Sequence, residues 1–173
     1  MTEPASNYIS IDLNKRFHDQ ARRVWIVATV VVLAWVGLII GAPILSPTAS
    51  SPIYTFFSYI CHQIPERSLH LFGHQLAVCS RCFGVYAGLL VGMIVYPLWR
   101  PIEDIEPIPR FWLFLSLVPI GIDWSLTIFG IWENTHASRF ITELILGFAC
   151  STFIVPALVE IVRNLSSREL RTQ

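Results

Sequence analysis

Four apolar stretches, each long enough to cross a bilayer as a helix, constrain this chain more than anything else in it. A spanning helix takes about 20 mostly apolar residues, and the stretches cover residues 24–45, 83–99, 111–131 and 140–162. With 54% hydrophobic and only 14% charged side chains, the sequence lies outside the composition of soluble domains. The expected fold is all-α: a polytopic membrane protein of four transmembrane helices forming one domain over residues 24–163. A leader (residues 1–23) and a tail (residues 164–173) flank it. Residues 52–60 are also apolar, but they are too short to span and are bracketed by prolines. They read as a short re-entrant or interfacial helical segment. The first stretch exceeds the 7 to 15 residues or so of a signal h-region and follows a polar segment, so it reads as a retained anchor.

Charge placement sets the orientation. Twelve basic residues balance twelve acidic ones, so the totals give no support to nucleic-acid binding or to steering of a charged ligand. Lys15, Arg16, Arg22, Arg23, Arg100, Arg110, Arg163, Arg168 and Arg171 fall on one side of the four-span topology, and only Arg67, Arg81 and Arg139 on the other. Positive flanks are held on the cytoplasmic side. The chain therefore reads as a multi-pass cell-membrane protein with the bilayer as its partner, both termini cytoplasmic and the segment of residues 52–82 facing outward.

That outward segment holds the candidate chemistry: Cys61-His62, then His70 and His74, then Cys79-Ser80-Arg81-Cys82. A Cys-His pair and a Cys-x-x-Cys separated by a spacer match the donor types of a closed tetrahedral zinc-type site. The candidate ligands for zinc or another soft divalent metal are Cys61, His62, Cys79 and Cys82, with His74 an alternative histidine. A structural disulfide leaving one free thiol and a redox-active thiol pair fit the same residues in an oxidising compartment. Pro65 as a helix start and Gly73 as a stop suggest a short helix over residues 65–72.

Polar residues inside the spans point to the same end. Asp123 lies well inside the third stretch, where a carboxylate is costly enough to imply a partner or a role. Glu143 sits near the start of the fourth, one turn from Arg139, with which it can pair. Gly84, Gly88 and Gly92 form a stripe on the second stretch, Gly37 and Gly41 a shorter one on the first, and close packing of these two helices is expected. Gln63, Arg67, Arg81, Tyr86, Asp123, Arg139 and Glu143 are the candidates for lining a polar cavity that takes a small ligand. The catalytic candidates are Cys79, Cys82 and Asp123.

Cys61-His62-Gln63-Ile64-Pro65-Glu66-Arg67-Ser68, Phe72-Gly73-His74-Gln75 and Cys79-Ser80-Arg81-Cys82-Phe83-Gly84-Val85-Tyr86 resemble the signature of the domain of unknown function 2085 family of prokaryotic membrane proteins. Pro119-Ile120-Gly121-Ile122-Asp123 and Ser138-Arg139-Phe140-Ile141-Thr142 are similar to that family's second half. The likeness runs from about Ser58 to Gly147 and implies a multi-pass membrane domain. Placement of Cys79 and Cys82 at the outer start of the second of four helices also resembles quinone-linked disulfide-forming membrane proteins, although those carry a second cysteine pair. Three readings follow: a metal site supporting a ligand cavity, a thiol oxidoreductase with a quinone cofactor, and, from Asp123, a small ion or lipid transporter.

Overall fold

The computed structural model describes residues 5–106 and 108–171, with side chains described over residues 15–106 and 108–166. The outermost residues of the leader and tail lie outside the described residues. Five α-helices carry the fold: α1 (Ala5–Gly41), α2 (Pro47–Ser58), α3 (Ser80–Trp99), α4 (Phe111–Ile128) and α5 (His136–Arg171). All but α2 are long and apolar enough to cross a membrane. The architecture is an all-α polytopic membrane fold. Val27, Val30 and Val31 on α1 and Trp112, Phe114 and Leu117 on α4 point outward and exposed, as expected of faces solvated by lipid.

Two spans reach beyond their sequence boundaries. The first apolar span runs from Lys15 to Ile44 and the last from His136 to Ser166. The extra turns are held by contacts between α1 and α5. The Gln20 side chain donates to the Val162 carbonyl at 3.4 Å and to Ser166 Oγ at 2.6 Å, and the Arg163 guanidinium lies 4.8 Å from the centre of the Phe17 ring. α1 gives way to a 3-10 turn, Ala42–Ile44, where Pro43 lacks the N–H that a continuing helix needs.

The glycine stripe packs against a different helix from the one expected. A Cβ added to Gly88 would lie 2.1 Å from the Leu144 carbonyl, and one added to Gly147 would lie 2.1 Å from the Val85 carbonyl. Helices α3 and α5 therefore meet backbone to backbone, the close approach that small residues permit in lipid. Gly37 and Gly41 have nothing within 4 Å of such an added atom. They do not form a close helix contact.

The expected helix over residues 65–72 is also absent. A 3-10 turn, Pro65–Arg67, leads into a two-residue antiparallel hairpin, β1 (His70–Leu71) and β2 (His74–Gln75), with His70 opposite Gln75. Phe72 and Gly73 turn the chain with φ of 52° and 80°, the left-handed pair that a tight hairpin turn requires. Local pairing wins because the long-range bonds favour it. Leu76 N–H donates to the Leu69 carbonyl at 2.8 Å, Gln75 Nε2 to the Gln63 carbonyl at 2.6 Å, and the Tyr54 hydroxyl to the Gln75 carbonyl. The hairpin thereby docks on α2, and the buried cluster of Phe57, Ile39, Cys61, Ala77 and Val78 fills the space between α1, α2 and the start of α3.

Candidate functional site

The local fold brings three thiols together. α2 ends at Ser58, and the Cys61 N–H donates back to the Phe57 carbonyl at 2.9 Å, which keeps Cys61 against the core. Gln63 then adopts a φ of 50°, a left-handed conformation that costs a non-glycine residue about 1 kcal/mol or more. Its side chain offsets this by donating to the Tyr54 and Ala77 carbonyls, both at 2.8 Å. The kink returns the chain over the hairpin to Cys79, the residue preceding α3, and the Cys79 N–H donates to Cys61 Sγ at 3.2 Å. Cys82 follows one helical turn later. The sulfurs of Cys61, Cys79 and Cys82 all lie within 4.8 Å of one another.

All four cysteines of the chain are free thiols, with Cys150 remote from this group in α5. Three thiolates around a zinc ion at about 2.3 Å stand about 3.8 Å apart in a tetrahedron, so the group suits a soft ion after small rotations. The Cys82 thiol first, and Cys61 after it, hydrogen-bond to Cys79, and backbone N–H groups of Cys82 and Arg81 add to them, which lowers the Cys79 thiol to about 5 against the burial that opposes it. Those N–H groups belong to the electropositive first turn of α3, which Cys79 immediately precedes. A thiolate at neutral pH is the ligand form and the nucleophilic form alike.

The histidines do not join this group. His62 stands on the wall of the adjoining cavity, whereas His70 and His74 lie exposed on the hairpin. His136, absent from the sequence-derived candidates, has its Nδ1 3.0 Å from Ser80 Oγ and so ties the start of α5 to the start of α3.

Beside the thiols lies a cavity of about 420 Å³. Gln63, Arg67, Arg81 and Arg139 line it together with Cys61, Cys79 and Cys82. Asp123, Glu143 and Tyr86 do not. Tyr86 turns the other way and packs edge-on to Trp35, ring centres 5.8 Å apart. Asp123 and Glu143 are buried behind the cavity, where Arg81 reaches both at 3.5 Å. One guanidinium on α3 thus bridges carboxylates on α4 and α5, and a buried carboxylate keeps its charge only with such a partner.

Arg139 is not paired with Glu143 as its spacing suggested. Its Nε donates to Asn134 Oδ1 at 2.8 Å, and Asn134 Nδ2 donates to Asp123 Oδ2 at 2.9 Å. Asn134 therefore acts as a neutral relay that orients both an arginine and an acid, and its place in a polar loop gave no signal of that role. Thr127 donates to the Asp123 backbone carbonyl at 2.9 Å and leaves the carboxylate to Arg81 and Asn134.

Fold and site define a polytopic α-helical membrane protein with a three-thiol group and an arginine-lined cavity at one end of its bundle. The chain belongs to the DUF2085 family of predicted membrane proteins, whose model matches residues 61–153. It is 41% identical over 110 residues to an uncharacterized protein of Methanocaldococcus jannaschii, a match covering 64% of this chain and 70% of that protein. An uncharacterized protein of Methanothermobacter thermautotrophicus is 35% identical over 91 residues, 53% of this chain and 80% of that one. No solved structure matches.

Proposed function

We propose that this chain is a membrane metal-binding protein in which Cys61, Cys79 and Cys82 hold a zinc-like ion. The ion clamps the α2–hairpin segment onto α3 and forms one wall of a polar ligand cavity. The convergence of the three sulfurs within 4.8 Å carries this reading: the donors come from two separate segments, and the strained Gln63 turn helps bring them together. Lys15, Arg22, Arg23, Arg100, Arg110 and Arg163 belong to the opposite end of the bundle. The positive-inside rule then puts both termini in the cytoplasm and the thiols outside the cell membrane. Residues 24–163 form the single membrane domain, with the leader and tail as its cytoplasmic extensions.

The test is protein purified anaerobically in mild detergent, with bound metal and free thiols counted together. One zinc per chain, lost in Cys82→Ser, is the expected result.

The lowered Cys79 thiol favours a second reading, a quinone-linked thiol oxidase. There the Cys79 and Cys82 thiols would form a disulfide, passing two electrons and two protons to a quinone that leaves as the hydroquinone. Metal-free protein whose two thiols cycle with added quinone would replace the metal reading with this one.

A further inference from the structure

We propose that the thiol-bound metal keeps one coordination position open toward the cavity, and that this position takes an oxygen of a phosphate group whose other oxygens are gripped by Arg67 and Arg139. The inference rests on the metal reading above. Only three protein ligands converge among the described residues, one short of the four that close a structural zinc site and equal to the three of sites that bind an exchangeable fourth ligand. All three cysteines face the cavity, so an open position at the metal adjoins it.

The arginines supply the chemistry of that ligand. Arg81 is neutralised by Asp123 and Glu143, but neither Arg67 nor Arg139 makes an ion pair among the described residues. Arg139 spends its Nε on the neutral Asn134 and keeps its remaining donors. Arg67 and Arg139 approach from different elements, the 3-10 turn and the start of α5, and both line the cavity. Two like charges lining one cavity call for an anion between them. A tetrahedral oxyanion offers oxygens in three directions at once, whereas a carboxylate offers two in one plane. The volume of about 420 Å³ suits a headgroup-sized ligand. Ile60 and Trp124 give the cavity an apolar flank that would meet the carbon side of a phosphate ester.

Cobalt(II) in place of the native ion makes the site visible, because its thiolate charge-transfer bands report the metal and its ligand-field bands report the fourth ligand. Inorganic phosphate titrated into the full-length cobalt protein in nonionic detergent is expected to shift the ligand-field bands. Arg67→Gln and Arg139→Gln should each weaken that titration by about tenfold or more while leaving the thiolate bands intact, which certifies their fold. Arg110→Gln, remote from the site, should change nothing. A parallel titration with short-chain phosphatidic acid identifies the source: binding at least tenfold tighter than inorganic phosphate assigns a lipid headgroup, and the reverse order a free phosphate. If neither ligand shifts the bands and His62→Ala does, His62 closes the site and this inference fails while the metal reading stands. If no cobalt–thiolate bands form at all, both fail.

Discussion

Helix α3 presents two faces that are built on opposite principles. On one, Gly84, Gly88 and Gly92 remove side-chain atoms so that α5 can approach, and the contact consists largely of backbone. On the other, Cys82 and Tyr86 project into a cluster with Trp35 and Phe57, and Cys79 at the helix start joins them. The first face is defined by what is missing and tolerates no addition. The second consists of functional groups on a shell of aromatic packing. The contrast assigns α3–α5 as the rigid axis and the α2–hairpin segment as the part held on through side chains and, in the proposed state, through a metal.

Glycine substitutions test that division most severely. A valine at Gly88 would press on the Leu144 backbone, its Cβ built only 2.1 Å from the carbonyl oxygen, and backbone cannot rotate aside. Gly88→Val should cost about 3 kcal/mol or more, read as a collapse of the thermal unfolding midpoint in detergent. Gly92→Ala should cost somewhat less: Ser151 can rotate its Oγ, 2.1 Å from the added Cβ, aside, but its own Cβ at 2.8 Å stays in place, so the two helices must still shift apart. Gly41→Ala has open space around it and should be neutral or slightly stabilising, by up to about 1 kcal/mol. If all three substitutions behave alike, the α3–α5 contact is not the rigid element.

The polar counterpart is Arg81, which joins the two faces by reaching from α3 to acids on α4 and α5. Arg81→Met should destabilise by about 2 kcal/mol, below the usual cost of breaking a fully buried pair, since the arginine side chain retains 32% exposure. Asp123→Asn combined with Glu143→Gln should recover much of that loss, because the double change removes the charges the arginine was neutralising. No recovery in a thermal-melt comparison would mean that Arg81 acts by packing alone.

These residues also show what the sequence could reveal. Length and hydropathy identified the four spans because lipid leaves the backbone no alternative to helix. Spacing likewise found the glycine stripe, but a stripe marks a face without naming the neighbour, and the neighbour proved to be α5. The Pro65 and Gly73 signals were real turn signals that a hairpin used as readily as a helix would have. The choice between them lay in the Gln63, Gln75 and Tyr54 bonds, which link positions distant along the chain. Arg139 and Glu143 stand one turn apart, yet each bonds elsewhere because Asn134 and Arg81 offer partners that only the tertiary fold brings near. Site residues were legible by type and not by pairing.

The smallest perturbation is a proton on the thiol face. With the Cys79 thiol lowered to about 5 by the hydrogen bond from Cys82 and the neighbouring donors, metal-free protein should hold Cys79 as thiolate throughout the neutral range. Alkylation follows the thiolate, so its rate at Cys79 should be flat above about pH 6 and fall about tenfold per unit below pH 5, where an ordinary thiol would instead lose reactivity below about 8.5. The sign fixes the control: Cys82→Ala removes the first donor, so the midpoint must rise, while Gly41→Ala on the far side of the comparison must leave it in place. Peptide mapping of iodoacetamide labelling across pH reads both. A midpoint near 8.5 in the unsubstituted protein would show that the three sulfurs do not share their protons, and the thiol face would then be a packed surface like its glycine counterpart.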